Sequence, residues 1–259
     1  MKTHIISLAI GLAAGCLGGL IGVGGGIIMI PLMVGILKLS QHQAPGTSLL
    51  ALVFTGLGGA LAYGLHGEVS LPAAAVLAFS AMMTARAGAH YAHALPGWRL
   101  RKAFGGFLIG CAVLFAFKPY LPAVGPHDSL FLNFFLFLTT GLVTGFLSGM
   151  MGVGGGVIMI PAMVLLAGFG QHEAQGTALA VMIPVGLTGA LTHHRLGNVA
   201  KRHLPGLVCG ILLGAVAGGN LANLLAEAPL GMTFMVVIAI MGFRYLKSTP
   251  PVAGDRADS

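Results

Sequence analysis

The chain carries one glycine run twice. Gly22-Val23-Gly24-Gly25-Gly26 leads into Ile28-Met29-Ile30-Pro31, and Gly152-Val153-Gly154-Gly155-Gly156 leads into Ile158-Met159-Ile160-Pro161. The copies stand 130 residues apart, and between positions 15 and 69 about half of the residues recur at that offset, which marks an internal duplication. Three adjacent glycines oppose a continuing helix, each costing about 1 kcal/mol relative to alanine. Both runs nevertheless lie inside apolar sequence. Helices interrupted at equivalent places in two apolar halves are how many membrane carriers build a solute site.

Composition sets the solvent. Hydrophobic residues make up 56% and charged residues 7% of the chain, against about 25% charged in soluble domains, which excludes a soluble globular protein. The net charge of +7 comes from basic residues scattered singly or in short clusters between apolar runs, where they set membrane topology. The aromatic and basic stripe of a single-strand nucleic-acid binder is absent, so no nucleic-acid partner is expected; the partners expected are the lipid bilayer and a small anionic substrate. Cys16, Cys111 and Cys209 follow no disulfide or metal spacing. Lys2 and Ala13-Ala14-Gly15-Cys16 resemble a lipoprotein signal, but the stretch recurs internally around Thr144-Gly145-Phe146, so it reads as a membrane helix.

Spanning the hydrocarbon core takes about 20 apolar residues. Segment A is expected from about Ile5 to Ile21, B from Ile27 to Leu39, C from Gly46 to Leu65, D from Leu71 to Leu95 and E from Arg101 to Phe117. B is short for a span. The second half repeats the plan, which gives a first repeat at 1–118, a linker at 119–129, a second repeat at 130–247 and a polar, disordered tail at 248–259. Gln41-His42-x-Ala44-x-Gly46-Thr47 returns as Gln171-His172-x-Ala174-x-Gly176-Thr177. Beyond Lys201-Arg202-His203 the sequence offset becomes 133, pairing Pro72 with Pro205 and Arg86 with Gly219.

Loop charge orients the halves. The D–E loop of the first half is basic (Arg99, Arg101, Lys102) and its C–D loop holds Glu68. In the second half the basic loop is C–D (Arg195, Lys201, Arg202), and the D–E loop holds Glu227. Equivalent loops of opposite bias belong on opposite sides of the membrane. The fold class expected is therefore an all-α polytopic membrane protein of two inverted five-helix repeats, each with a glycine-broken helix pair. Both termini are expected in the cytoplasm, with Glu68, Asp128 and Glu227 outside and Lys118 as the one exception.

Candidate site residues follow from this plan. B and its repeat begin just after the glycines, so their free N–H groups and positive dipole ends favour an anion, and glycine leaves the backbone open to it. Gly24, Gly25, Gly26, Gly154, Gly155 and Gly156 are the substrate-binding candidates. Spacings such as Gly11-x-x-x-Gly15 are read instead as helix packing. Thr47, Ser48 and Thr177, in first helical turns, either cap the helix or touch the ligand. His42 and His172 are candidates for proton coupling, or plain loop histidines. Arg86, inside segment D, either contacts the anion or snorkels to the interface.

Other chemistry is poorly served. Gly22-x-Gly24 is followed by Ile27 where a dinucleotide loop needs glycine, so no cofactor is expected. His90, His93, His193 and His194 would have to converge from different helices, with no acidic ligand nearby, so no metal is expected. Ser148 lacks the setting of a serine nucleophile, so no enzyme is expected, and six acidic residues are too few and too peripheral for carboxylate-driven pumping.

The paired G-x-x-G-x-G-G-G-x-I-x-x-P segments, Gly19 to Pro31 and Gly149 to Pro161, and the Ala44–Ser48 and Ala174–Ala178 stretches resemble the TauE/SafE family, also called the toluene sulfonate uptake permeases. The resemblance covers the chain to about Lys247. It implies a prokaryotic plasma-membrane carrier for sulfite, sulfoacetate, thiosulfate or a related anion, often outward, with the glycines, Thr47 and Thr177 at the substrate site. Arg86 belongs to neither motif. An anion channel or uniporter, or an uptake permease for an organic anion, is the alternative, and a homodimer is compatible with such a fold.

Overall fold

A computed structural model of the chain describes residues 2–40, 43–91, 97–117 and 130–247. The linker at 119–129, the tail at 248–259, His42 and His93 lie outside the described residues. These fold into helices, with no strand among them: α1 (Lys2–Ile21), α2 (Gly26–Gly35), α3 (Gln43–Gly64), α4 (Leu71–Tyr91), α5 (Gly97–Phe117), α6 (Leu130–Met151), α7 (Gly156–Leu166), α8 (Gln171–Arg195), α9 (Leu204–Asn223) and α10 (Glu227–Leu246). A 3₁₀ turn at Lys201–His203 precedes α9.

Among the described residues seven helices are long and apolar enough to cross a membrane. This is an all-α, multi-pass membrane protein. Phe79, Met83, Phe131, Leu213, Met232 and Phe243 stand exposed on its outer surface, where acyl chains rather than water suit them. By contrast α2 has 10 residues and α7 has 11, about 15 Å of helix at 1.5 Å per residue. That is about half of a hydrocarbon core, in line with the expected shortness of segment B.

Helix starts differ from expectation in one useful way. α3 begins at Gln43 and α8 at Gln171, so Thr47, Ser48 and Thr177 lie in the second turns of these helices, not in the first turns expected from the sequence. α5 begins at Gly97, which puts Arg99, Arg101 and Lys102 in its first turns instead of a loop.

Long helices meet through small residues, which let backbones approach closely where lipid supplies no hydrophobic drive. Gly11, Gly15 and Gly19 of α1 face the backbone of Leu207, Ile211 and Ala215 on α9, while Gly210, Gly214 and Gly218 face Leu8, Leu12 and Cys16 in return. The rising register makes α1 and α9 parallel neighbours. α6 and α4 repeat the arrangement: Gly141, Gly145 and Gly149 face Leu77, Ala81 and Ala85. Gly11 and Gly15 thus serve packing, as expected. Between the halves α3 and α8 run antiparallel, with Gly56 against Leu179 and Ile183, and Gly186 and Gly189 against Leu49.

These contacts correct the sequence register. Leu77, Ala81 and Ala85 occupy in α4 the places that Leu207, Ile211 and Ala215 occupy in α9, so the spatial offset stays at 130. Pro205 stands 133 residues after Pro72 because the 3₁₀ turn replaces the first turn of a helix, while the contacts of α9 keep the 130 register. The spatial counterpart of Arg86 is Val216, not Gly219.

Candidate functional site

The two glycine runs are built by backbone conformations that only glycine adopts cheaply. Gly22, Gly24 and Gly25 have φ of 71°, 87° and 71°, and Gly152 and Gly154 have 68° and 84°, all in the left-handed region. Gly155, at φ −86°, departs from its counterpart Gly25; there space is the constraint, since a side chain would strike Thr144. Each run turns the chain from a long helix into a half-length one, capped by Gly25 or Gly155 with no side-chain cap. The carbonyl of Gly25 accepts from Ile28 and Met29 N–H (3.1 and 2.9 Å), and that of Gly155 from Ile158 and Met159 N–H (both 3.0 Å). The N–H groups of the first helical residues precede any intrahelical acceptor.

The runs lie against each other. A methyl on Gly26 would come within 2.8 and 2.9 Å of the Gly152 and Val153 carbonyl oxygens, and one on Gly156 would strike the Gly22 carbonyl. Each helix start therefore faces carbonyl oxygens of the opposite run. Leu52 and Met182, which correspond at the 130 offset, fill the space beside Gly24 and Gly154. All ten residues of the two runs are buried. The conformation is closed: backbone oxygens hold the places where the dipoles of α2 and α7 favour negative charge.

Hydroxyls of the second motif clamp this centre. Thr47 Oγ1 accepts from Ala200 N–H and Thr177 Oγ1 from Ser70 N–H, both at 2.9 Å. Each threonine thus ties the second turn of its helix to a loop of the other half. Ser48 Oγ donates to the Gly152 carbonyl at 2.8 Å, joining α3 directly to the second run; its counterpart Ala178 has no hydroxyl. All three hydroxyl residues are fully buried. Gly46 and Gly176 let the carbonyls of Asn198 and Glu68 pass close.

The remaining candidates scatter. Arg86 is exposed on the outer face of α4, while its neighbour Ala85 packs on Gly149; the structure does not bring it to the glycine runs. His172 is buried, with Nε2 donating to the Ala222 carbonyl at 3.1 Å and Nδ1 3.9 Å from a Glu227 carboxylate oxygen. It belongs to the junction of α8, α9 and α10.

Sequence reasoning missed four residues at the runs. Tyr63 Oη lies 3.2 Å from the Gly19 carbonyl and 2.6 Å from Gln175 Oε1. Its counterpart His193 makes the matching contact, Nε2 to the Gly149 carbonyl at 3.1 Å. Gln175, fully buried beside Gly22, leaves its Nε2 without a partner among the described residues, as does the Oγ1 of buried Thr144 beside Gly155. A signal for Gln175 was present: the repeat breaks there, Pro45 standing opposite.

The class defined by this fold is a polytopic helical membrane protein with two helix-breaking glycine runs meeting at its centre. A profile of the sulfite exporter TauE/SafE family matches residues 7–245, and the chain belongs to that family. It is 27% identical to the probable membrane transporter protein YunE of Bacillus subtilis, over 93% of this chain and 96% of the relative. It is 24% identical to YdhB of the same organism, over 88% and 94%, and 26% identical to the probable membrane transporter MJ0441 of Methanocaldococcus jannaschii, over 74% and 72%. No solved structure matches the chain significantly. The protein is a membrane transporter of the TauE/SafE type.

Proposed function

We propose that the protein is a secondary transporter, working outward, for a small sulfur-containing or organic anion such as sulfite, sulfoacetate or thiosulfate. The observation that carries this reading is the pair of half-length helices, α2 and α7, whose uncapped starts meet across the glycine runs. Two positive dipole ends and backbone N–H groups that precede any intrahelical acceptor favour an oxyanion. The substrate class comes from the family's name.

The mechanism proposed is alternating access between two inverted repeats. Parallel pairing of α1 with α9 and of α6 with α4, around antiparallel α3 and α8, is the geometry such repeats produce. The closed state holds carbonyl oxygens against each helix start; parting the runs replaces them with substrate oxygens. With the basic loops in the cytoplasm, export of an anion runs down a negative-inside potential by about 2.3 kcal/mol per charge per 100 mV. No coupling ion is then required, and His172 is not needed as a proton carrier.

Reconstituted wild-type protein tests this. Proteoliposomes loaded with sulfite, sulfoacetate or thiosulfate should release at least one of them saturably, faster when the voltage favours anion exit. Release of none of these would remove the substrate class, and unitary conductance steps in a planar bilayer would favour a channel.

A further inference from the structure

Gln175 carries the inference, which rests on the anion-transport reading above. It is fully buried in the first turns of α8, its Cα, Cβ and Cγ within 2.9 Å of where a side chain on Gly22 would begin. Tyr63 Oη stands 2.6 Å from its Oε1, and 3.2 and 3.3 Å from the Gly19 and Leu20 carbonyls; the short separation is that of an O–H···O bond and below the usual N–H···O range, so the hydroxyl donates its one proton to Oε1 and Nε2 is the other end of the amide. The Nε2 end has no partner among the described residues. An amide donor stripped of water and left unpaired is costly, and the opposing structure does nothing to relieve it. Burial of such a group beside an anion-favouring glycine run is accounted for if an oxygen of the ligand becomes its acceptor.

We propose that Gln175 is a substrate-binding, specificity-determining residue: its amide donates to an oxygen of the sulfur oxyanion, and Tyr63 acts as the positioning residue that aims it. A neutral donor suits the task, because it adds direction without a buried charge that would hold a dianion too tightly to release. Pro45 stands at the equivalent place in the first half and can donate nothing there. The directional donor is therefore supplied from one half only, at the end of the site nearest the α8 start, and the anion is gripped unequally by the two halves.

The substitution Gln175→Glu separates this role from a structural one. It keeps the shape and the oxygen that accepts from Tyr63, so a residue that merely joins α3 to α8 would tolerate it, whereas a ligand donor is lost when the carboxyl ionises. Radiolabelled thiosulfate flux in proteoliposomes, with sulfite and sulfoacetate alongside, supplies the readout. For Gln175→Glu the KM should rise about ten- to hundredfold at alkaline pH and recover as acidification returns a proton, and a donor, to the carboxyl. Wild type should hold a flat thiosulfate KM over the same range. Tyr63→Phe keeps the ring and should raise KM several-fold with little change in maximal rate. Elution as a single species and an unchanged melting curve qualify each variant; should Gln175→Glu not fold, Tyr63→Phe decides alone. A wild-type KM at all pH values in the folded Gln175→Glu variant, or in Tyr63→Phe, overturns the assignment while leaving the transporter intact. Wild type that moves none of the three anions overturns the transport reading itself, and this proposal with it.

Discussion

At the residue scale, a single methyl group separates glycines that shape the site from glycines that only dilute a helix. Gly25 combines φ of 71° with a backbone carbonyl, that of Ala14, in the way of any side chain. Gly110 of α5 faces open space. Gly25→Ala should therefore destabilise the protein by about 1–3 kcal/mol from the backbone conformation alone, whereas Gly110→Ala should stabilise by about 0.5–1 kcal/mol. Melting curves of the two purified variants in one detergent check the opposite signs. Hydroxyls divide in the same way. Ser48→Ala strands the buried Gly152 carbonyl and should cost about 1–3 kcal/mol. Thr55, buried on α3 with no partner for its Oγ1 among the described residues, should accept valine with no loss. Equal melting shifts for Ser48→Ala and Thr55→Val would contradict the clamp.

At the scale of elements, the half-helices and their plug define the site. Leu52 and Met182 occupy the space between the runs, so trimming Met182 to alanine removes volume where the anion is proposed to pass. Flux through Met182→Ala should rise, with discrimination among sulfite, sulfoacetate and thiosulfate reduced; unchanged selectivity would place the pathway elsewhere. Arg86→Gln is the converse case. Its exposed position on α4 predicts an unaltered KM, although an arginine within a membrane segment was a natural candidate from sequence. Sequence reveals that a charge is buried in a hydrophobic segment, but not which side of the helix faces lipid, and α4 carries no strong amphipathic pattern to say so. Glycine runs were legible because three consecutive glycines oppose a helix whatever surrounds them. Gln175 was marked in the sequence only as a break in the repeat, opposite Pro45; its pairing with Tyr63, 112 positions away, was not legible, because only the fold joins them.

At the scale of the whole molecule, duplication explains both what sequence reveals and what it conceals. The number of segments and the shortness of B followed from hydropathy and length. Which helices pair did not, because α1 and α4 pack on helices of the other half, α9 and α6, and small residues in the membrane point to close packing without naming a partner. The offset of 133 read from the sequence illustrates the limit: a single 3₁₀ turn at Lys201–His203 moves Pro205 while leaving the contacts of α9 in the 130 register. The proposed inversion makes its own prediction. In a background free of Cys16, Cys111 and Cys209, cysteines placed at Glu68 and Glu227 should react with an impermeant thiol reagent from one face. Cysteines at Lys201 and Lys247 should react from the other. The same face for all four would rule out inverted halves.

The central claim is that the two glycine runs together form one anion site, and flux through their variants tests it most directly. Wild type, Gly25→Leu and Gly155→Leu are reconstituted at equal density after each elutes as a single species, and release of sulfite and thiosulfate is followed under an imposed voltage. The site described here predicts saturable release by wild type and its loss in each variant separately, because both half-helix starts are required. Flux in the two folded variants equal to that of wild type would contradict it.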